Sequence, residues 1–445
     1  MSGQLQRQLT PFHAVVIGLG SMIGAGVFTA LGLAAALTGG HPGLLFAAIG
    51  LAALTALLNA LATAQLATVH PTSGGTYVYG REQLHPWAGF LAGWGFVTGK
   101  TASVAAMATT IGLYVFPDDG AAARLTGVVA VVVLTGVALA GISRTAQATM
   151  AILVPVLGVL LLTIVGGLFF SELVDSSPAA SLPDAPWLGV FMAAGVLFFA
   201  FAGYARVATM GEEVQDPRRS IPRAILIALA ITVALFVALA WGLLSALGSD
   251  GLAESSAPVR AALEASFGSG WGWVALAAAG LASAGAMLNL LTGITRTSLA
   301  MGRQGDLPGV FTRVWDRTGA PWVGQVVVAV AVIVLVLATD ILTVVGFSSF
   351  GVLVYYAIAN LSAFTLGSAT DRQRRHERAT GEDEDIPARP LRLPRWVNLV
   401  GAGLCLLLAF TLPGSAVMAM LGVFLVGAGG RAFVLAGRNR PQHRR

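Results

Sequence analysis

Charge is scarce in this chain of 445 residues: Asp, Glu, Lys and Arg together make up 11%, against 56% hydrophobic residues. That balance excludes a soluble protein built round an ordinary core, and it reads as a polytopic membrane protein. There is one cysteine, Cys405, inside an apolar run, so no internal disulfide can form. Neither HExxH, GxSxG nor a glycine-rich loop ending in lysine occurs, and the histidines lack metal-ligand spacing. Those gaps leave metal coordination, nucleophilic catalysis and nucleotide hydrolysis without residues, and no enzyme, metal or cofactor is expected. Lysine occurs once, as Lys100, and every other Lys-or-Arg position is arginine.

What is present is a series of apolar runs near the ~20 residues that a helical span needs. About twelve can be placed along the chain, with polar residues collected between them. The first begins at Phe12 and runs on past signal-peptide length, so it is read as a span and not a cleaved leader. With a cytoplasmic N-terminus, Arg7, Arg81, Arg144, Arg218, Arg219, Arg223, Arg303, Arg313 and Arg317 face inside, as do the cluster from Arg372 to Arg395 and the C-terminal tail. Arg124 and Arg260 are the arginines in outside loops, where Asp118, Asp119, Glu172, Asp175, Asp184, Asp250, Glu254 and Asp340 also fall. This is the positive-inside bias of a cell-membrane protein with both termini cytoplasmic, and it explains the net charge of +5 without nucleic acid.

Two spans carry an unusual feature. The first contains Gly18-Leu19-Gly20-Ser21-Met22-Ile23-Gly24-Ala25-Gly26-Val27-Phe28, four glycines in nine residues at mid-depth. Small residues let helices pack closely, but this density predicts a broken helix that stops near Gly20 and restarts near Gly24. Broken backbone in lipid survives only where it is buried in protein or lines a cavity. A restarted helix would present the amides of Gly24, Ala25 and Gly26 at a positive dipole end suited to a carboxylate. The sixth span is interrupted likewise, at Phe198-Phe199-Ala200-Phe201-Ala202-Gly203-Tyr204-Ala205-Arg206. Spans one and six lie five helices apart, and paired interruptions at equivalent places point to an inverted-repeat transporter with its site between them. The repeats are placed at residues 12–170 (helices one to five) and 187–366 (helices six to ten), followed by a hydrophilic, solvated loop at 371–395 and two final helices at 396–436.

Between these spans the expected details are a turn-rich loop from His70 to Tyr79 and an N-cap at Ser220 with Pro222 early in the seventh span. That span should end near Leu247 and give way to an outside loop reaching Trp271. Lys100, thirteen residues past Trp87, falls ~20 Å into a ~30 Å core. An ionisable group at that depth is a functional candidate, set against snorkelling or a structural bond to loose carbonyls. Asn289 and Thr292 in span eight are either pocket groups or interhelical hydrogen-bond partners.

Four stretches in order resemble the amino acid-polyamine-organocation superfamily of permeases. They are Gly20 to Phe28, Pro71-Thr72-Ser73-Gly74-Gly75-Thr76-Tyr77-Val78-Tyr79, Phe199 to Tyr204, and Glu212-Glu213-Val214-Gln215-Asp216-Pro217-Arg218-Arg219-Ser220-Ile221-Pro222. The resemblance covers spans one to ten and implies an all-α, twelve-helix LeuT-type fold with a small-molecule substrate, an amino acid, bound between the broken helices. By motif position Ser21, Ile23, Gly24, Ala25 and Gly26 would hold its carboxylate. Carbonyls of Phe199, Ala200 and Ala202 would take the amino group, with Phe201 and Asn289 completing the pocket. Phe199, Tyr204, Arg206, Glu212 and Glu213 would form the gate, Arg206 serving either as a vestibule group or, preferably, as a strut to the two glutamates. Gln65 and Ala205 stand where many members have acids, and no lysine occurs in span five. Lys100, at a position that lines the pocket in such permeases, is therefore expected to carry proton coupling. A neutral amino acid moved by proton symport or exchange is the resulting expectation. An acidic amino acid, an amine or a polyamine is the alternative within the fold, and a channel or membrane enzyme the alternative outside it.

Overall fold

The computed structural model describes residues 9–69, 75–140, 146–170, 186–208, 214–315, 320–380 and 393–438. Its elements are helices, and among the described residues there is no β-strand, only an isolated parallel bridge between Leu9 and Val214. Helix α1 (Pro11–Met22) starts where Thr10 accepts from the His13 amide and Pro11 fills the first helical position, which needs no amide donor. It ends where the Ile23 amide bonds the Leu19 carbonyl at 2.7 Å. Gly24 is extended, and α2 (Ala25–Leu37) departs at 45°.

The break therefore falls at Ile23–Gly24, later than the expected stop at Gly20. The reason lies in what the other glycines do. A Cβ on Gly18 would stand 3.1 Å from both Ala228 and Val207, and one on Gly20 would overlap the Thr149 side chain. Those two are close-packing positions inside an intact helix, so the cluster combines packing glycines with a breaking one.

Then come α3 (Pro42–Val69), α4 (Gly75–Gln83), α5 (Pro86–Val115), α6 (Gly120–Leu139) and α7 (Ala146–Phe169). Helix α4 occupies part of the expected loop. Gly75 enters it with φ of 55°, and the Thr76 amide donates to the Tyr355 hydroxyl at 3.3 Å. Helix α8 (Pro186–Phe201) unwinds into a short 3-10 turn (Ala202–Tyr204) and the single turn α9 (Ala205–Ala208), which is the second interruption. Helix α10 (Pro217–Glu254) begins earlier than expected, because Asp216 in the left-handed region (φ 43°) redirects the chain and Pro217 starts the helix. Ser220 instead lies in the first turn, its hydroxyl donating to the Gln215 carbonyl at 2.7 Å. At the expected end, Gly248 leaves the helical region at φ 71° and breaks the helix there, and a further helical stretch continues from the kink to Glu254.

The outside loop proves to contain α11 (Pro258–Phe267), and α12 (Gly272–Arg303) and α13 (Trp322–Ala338) follow. Helix α14 (Ile341–Thr380) runs on into the expected loop, since neither Gly nor Pro interrupts it between Asp371 and Thr380. Helices α15 (Arg395–Thr411) and α16 (Gly414–Arg438) complete the chain. Among the described residues eight helices are long and apolar enough to cross a membrane, nine if the bent α1–α2 pair counts as one span, and α13 and α15 are shorter apolar helices.

Helix α5 runs through the middle of the bundle and packs most extensively on α14 and α12. Its fit to α14 is a seam of small residues. A Cβ on Gly95 would come within 2.8 Å of the Gly351 carbonyl and one on Gly99 within 3.1 Å of the Ser348 carbonyl, while the Ser103 and Ser348 hydroxyls bond at 2.6 Å. At one end of the bundle Asp306, 5% exposed, gathers three elements. Its Oδ2 accepts from the Tyr77 hydroxyl at 2.8 Å and Arg81 at 2.7 Å, and its Oδ1 faces Arg431 Nε at 3.0 Å. Arg431 also lies 4.4 Å over the Trp87 ring and donates to the Pro86 carbonyl at 2.8 Å. Burial and the neighbouring carboxylate push the Tyr77 phenol well up, so it remains a donor.

Removing the shared acceptor strands two guanidinium groups. Asp306→Ala should cost about 3–5 kcal/mol of stability. Asp119→Ala, which removes only an exposed helix cap bonded to Ala121 and Ala122, should cost ~0.5–2 kcal/mol. Thermal unfolding of both detergent-solubilised variants measures the contrast.

Candidate functional site

The two interruptions lie against each other. A Cβ on Gly203 would overlap the Ser21 carbonyl, and one on Gly26 would come within 2.9 Å of the Ala200 Cα and 3.1 Å of the Phe199 ring. Only glycine permits either approach. Because α2 restarts at Ala25, the amides of Ala25 and Gly26 belong to a first turn that has no intrahelical acceptors. They carry the positive end of a 13-residue helix dipole. Facing them, the Ala202 carbonyl freed by the unwinding of α8 accepts from Lys100 Nζ at 3.4 Å and from the Tyr356 hydroxyl at 3.3 Å. Lys100 is 6% exposed, and α5 delivers it from the glycine seam.

A cavity of about 390 Å³ opens between these breaks, α5 and α12, within the range of small-ligand sites. Ser21, Gly24, Gly26, Phe199, Ala200, Ala202, Asn289, Lys100 and Arg206 all line it. It extends from Ala286, whose Cβ would sit 3.2 Å from one built on Gly24, along α12 to the exposed Arg303. That path is ~25 Å at 1.5 Å per residue. The Arg303 end lies beside α4, whose Tyr77 forms part of the wall. On the opposite side of the breaks the bundle is tied shut. The Tyr114 hydroxyl donates to the Phe28 carbonyl at 2.8 Å, and Arg260 of α11 donates to the Tyr114 carbonyl at 3.0 Å.

Other expected site residues lie elsewhere. Ile23 faces a narrow crevice with Gly20, Thr149 and Ile152 between α1, α7 and α12. Ala25 is fully buried and does not border the cavity. Phe201 packs on Phe236 of α10 with ring centroids 4.9 Å apart. Tyr204, also fully buried, stacks on Tyr356 at 5.2 Å and does not border the cavity. Glu212 and Glu213 lie outside the described residues. Thr292 bonds its own helix, donating to the Asn289 carbonyl at 2.9 Å, so of the α12 pair only Asn289 reaches the cavity.

The sequence reading missed the rest of that face of α12: Gly293, Arg296, Ala300 and Arg303. Their spacing of three and four from Asn289 was a usable signal. Among the described lining residues Lys100, Arg206, Arg296 and Arg303 are cationic, and none is Asp or Glu.

A bundle of apolar helices broken around a solvent-reaching cavity defines a membrane transporter. The chain belongs to the amino acid permease family, whose model matches residues 9–429, within the amino acid-polyamine-organocation superfamily. It is similar to an uncharacterized transporter of Mycobacterium tuberculosis, 46% identical over 427 residues that cover 95% of this chain and 90% of the relative. It also resembles the methylthioribose transporter of Bacillus subtilis, 28% identical with 93% of this chain and 90% of the relative covered. The branched-chain amino acid permease of the same organism is 27% identical, with 72% of each chain covered. Family and relatives are transporters, not enzymes.

The close approach of Gly26 to Ala200 gives a direct check. Gly26→Val should abolish ligand-induced thermal stabilisation across an amino acid panel while the variant still reaches the membrane, and retained affinity for any ligand of the wild type would contradict a role for the α2 start.

Proposed function

We propose that the protein is a secondary transporter of an amino-acid-sized carboxylate solute. The solute binds between the two helix breaks, and access alternates by rocking of two inverted repeats, residues 12–170 and 187–366. The observation that carries this reading is the cavity itself. It reaches Gly24 and Gly26 at the α2 start, where first-turn amides and the helix dipole favour a carboxylate. With both termini cytoplasmic, as the arginine distribution supports, the Arg303 end is the inner vestibule and the conformation is inward-open. Phe199, beside Gly26 in the cavity wall, is placed to cover a bound solute. Amine and polyamine substrates fit poorly, because no described lining residue offers a carboxylate.

Lys100 serves as the coupling group, gaining and losing a proton as the cycle turns. Its hold on the Ala202 carbonyl supports this, because that bond connects the proton state of α5 to the broken helix α8. Arginine stays protonated and cannot make the exchange.

Proteoliposome uptake tests the reading in two stages. Counterflow of a carboxylate solute in the wild type is the expected result, and its absence across a broad amino acid panel would remove the assignment of an amino-acid-sized carboxylate as the solute. Lys100→Arg and Lys100→Ala should both lose accumulation driven by an inward proton gradient, with solute exchange persisting in the alanine form. Gradient-driven accumulation that survives in Lys100→Ala would show that coupling lies elsewhere. Phe199→Ala should speed exchange or leak, and unchanged exchange kinetics would remove its covering role.

A further inference from the structure

Arg296 sits within a membrane-spanning helix, yet it is exposed to the cavity and makes no hydrogen bond or ion pair among the described residues. A charge in that position is expensive unless it faces water or a partner, and it marks a functional group by default. Snorkelling is the plain alternative. Two features oppose it. Arg296 lies seven residues before the end of α12 at Arg303, about 10 Å inside the helix. Helical side chains also lean toward the N-terminus of their helix, which here carries the guanidinium away from the near face and toward the deep end of the cavity. Arg206 and Arg303 line the same cavity, and no described lining residue is acidic. Arg296 and Arg303 remain charged at any physiological pH and concentrate anions in the cleft they share.

At the deep end the α2 start is one anion site. Ala286, which packs against Gly24, precedes Arg296 by ten residues, ~15 Å along the helix axis. Arg296 leans back across part of that span, leaving room between it and the α2 amides for a short molecule with an anion at each end. A guanidinium matches a carboxylate with two parallel hydrogen bonds. The Ala202 carbonyl, expected to receive a substrate amino group, already accepts from Lys100 and Tyr356, so the site is richer in anion donors than in cation acceptors.

We propose that Arg296 binds a second carboxylate of the transported solute, so that the solute class is an acidic amino acid or a short dicarboxylate and not the neutral amino acid expected from sequence. The proposal rests on the reading of the α2 start as the first carboxylate site. It gives Arg296 a specificity role on α12 that is separate from proton coupling at Lys100.

The test is competition and thermal stabilisation of purified full-length protein, followed by counterflow. The probes are aspartate, glutamate and succinate against asparagine, glutamine and leucine, with wild type, Arg296→Gln and Arg296→Lys. Wild type should bind one of the diacids at least about tenfold better than its amide or monocarboxylate counterpart. Arg296→Gln should erase that discrimination while keeping its unliganded melting temperature, and Arg296→Lys should restore part of it. If Arg296→Gln fails to fold, discrimination in the wild type and its weakening in Arg296→Lys decide the matter. Preferred binding of asparagine, glutamine or leucine would overturn the proposal and leave the transport reading intact. Equal loss of acidic and amide ligands in Arg296→Gln would overturn it too, as the mark of a merely structural arginine. If no carboxylate probe binds, both readings fall.

Discussion

Backbone polar groups released inside a membrane must find partners, because the surrounding hydrocarbon offers none. In this chain that constraint brings two breaks together. The carbonyl exposed by the unwinding of α8 at Ala202 is met by Lys100 and Tyr356, and Gly203 fits onto the backbone at Ser21 because it has no side chain. At the start of α2, Gly24 and Gly26 border the cavity, and the first-turn amides there have no intrahelical acceptors. Of the backbone groups released by the two breaks, the Ala202 carbonyl is thus already occupied, whereas the first-turn amides of α2 have no intrahelical partner.

The same constraint explains why the middle of the bundle is built from small residues. Lys100, which donates to the Ala202 carbonyl, directly follows Gly99 of the seam along which α5 approaches α14, and that approach depends on Gly95, Gly99 and Gly351. Glycine is a poor helix former, but lipid gives helices no hydrophobic reason to associate, so van der Waals contact and bonds such as Ser103 to Ser348 take over that role. The same helix thus carries both the small-residue seam and the lysine that borders the cavity.

The sequence made the spans legible because length and hydropathy suffice for them, and the paired interruptions were legible because glycine at membrane depth demands an account. It could not say which glycine breaks the helix. Gly18 and Gly20 are as conspicuous as Gly24, and only contacts with Ala228, Val207 and Thr149 identify them as packing positions. Nor could it phase the end of α8 and the turn after it, where Phe201 packs toward α10 and Tyr204 toward α14. Helix α4 was hidden for a related reason: its residues look like turn formers, and what holds them helical is distant, Tyr355 for Thr76 and Asp306 for Tyr77 and Arg81. Arg296 was visible as a charge in a span, but its meaning depends on which face of α12 it occupies.

Asp306 closes the electrostatic argument. It is the one buried carboxylate among the described residues, and it stands at the mouth of a cavity lined by cations. Were it free, it would oppose their field. Instead Arg81, Arg431 and Tyr77 consume its charge and its lone pairs, so the potential in the vestibule is left to the arginines. The bonds have a mechanical consequence as well, since Tyr77 is both a ligand of Asp306 and part of the cavity wall. Asp306 lies three residues past the end of α12 at Arg303, so its bonds tie that end to α4 and to α16. Since breaking a buried ion pair costs several kcal/mol, these bonds hold α4, the end of α12 and the end of α16 to one another at the Arg303 end of the cavity.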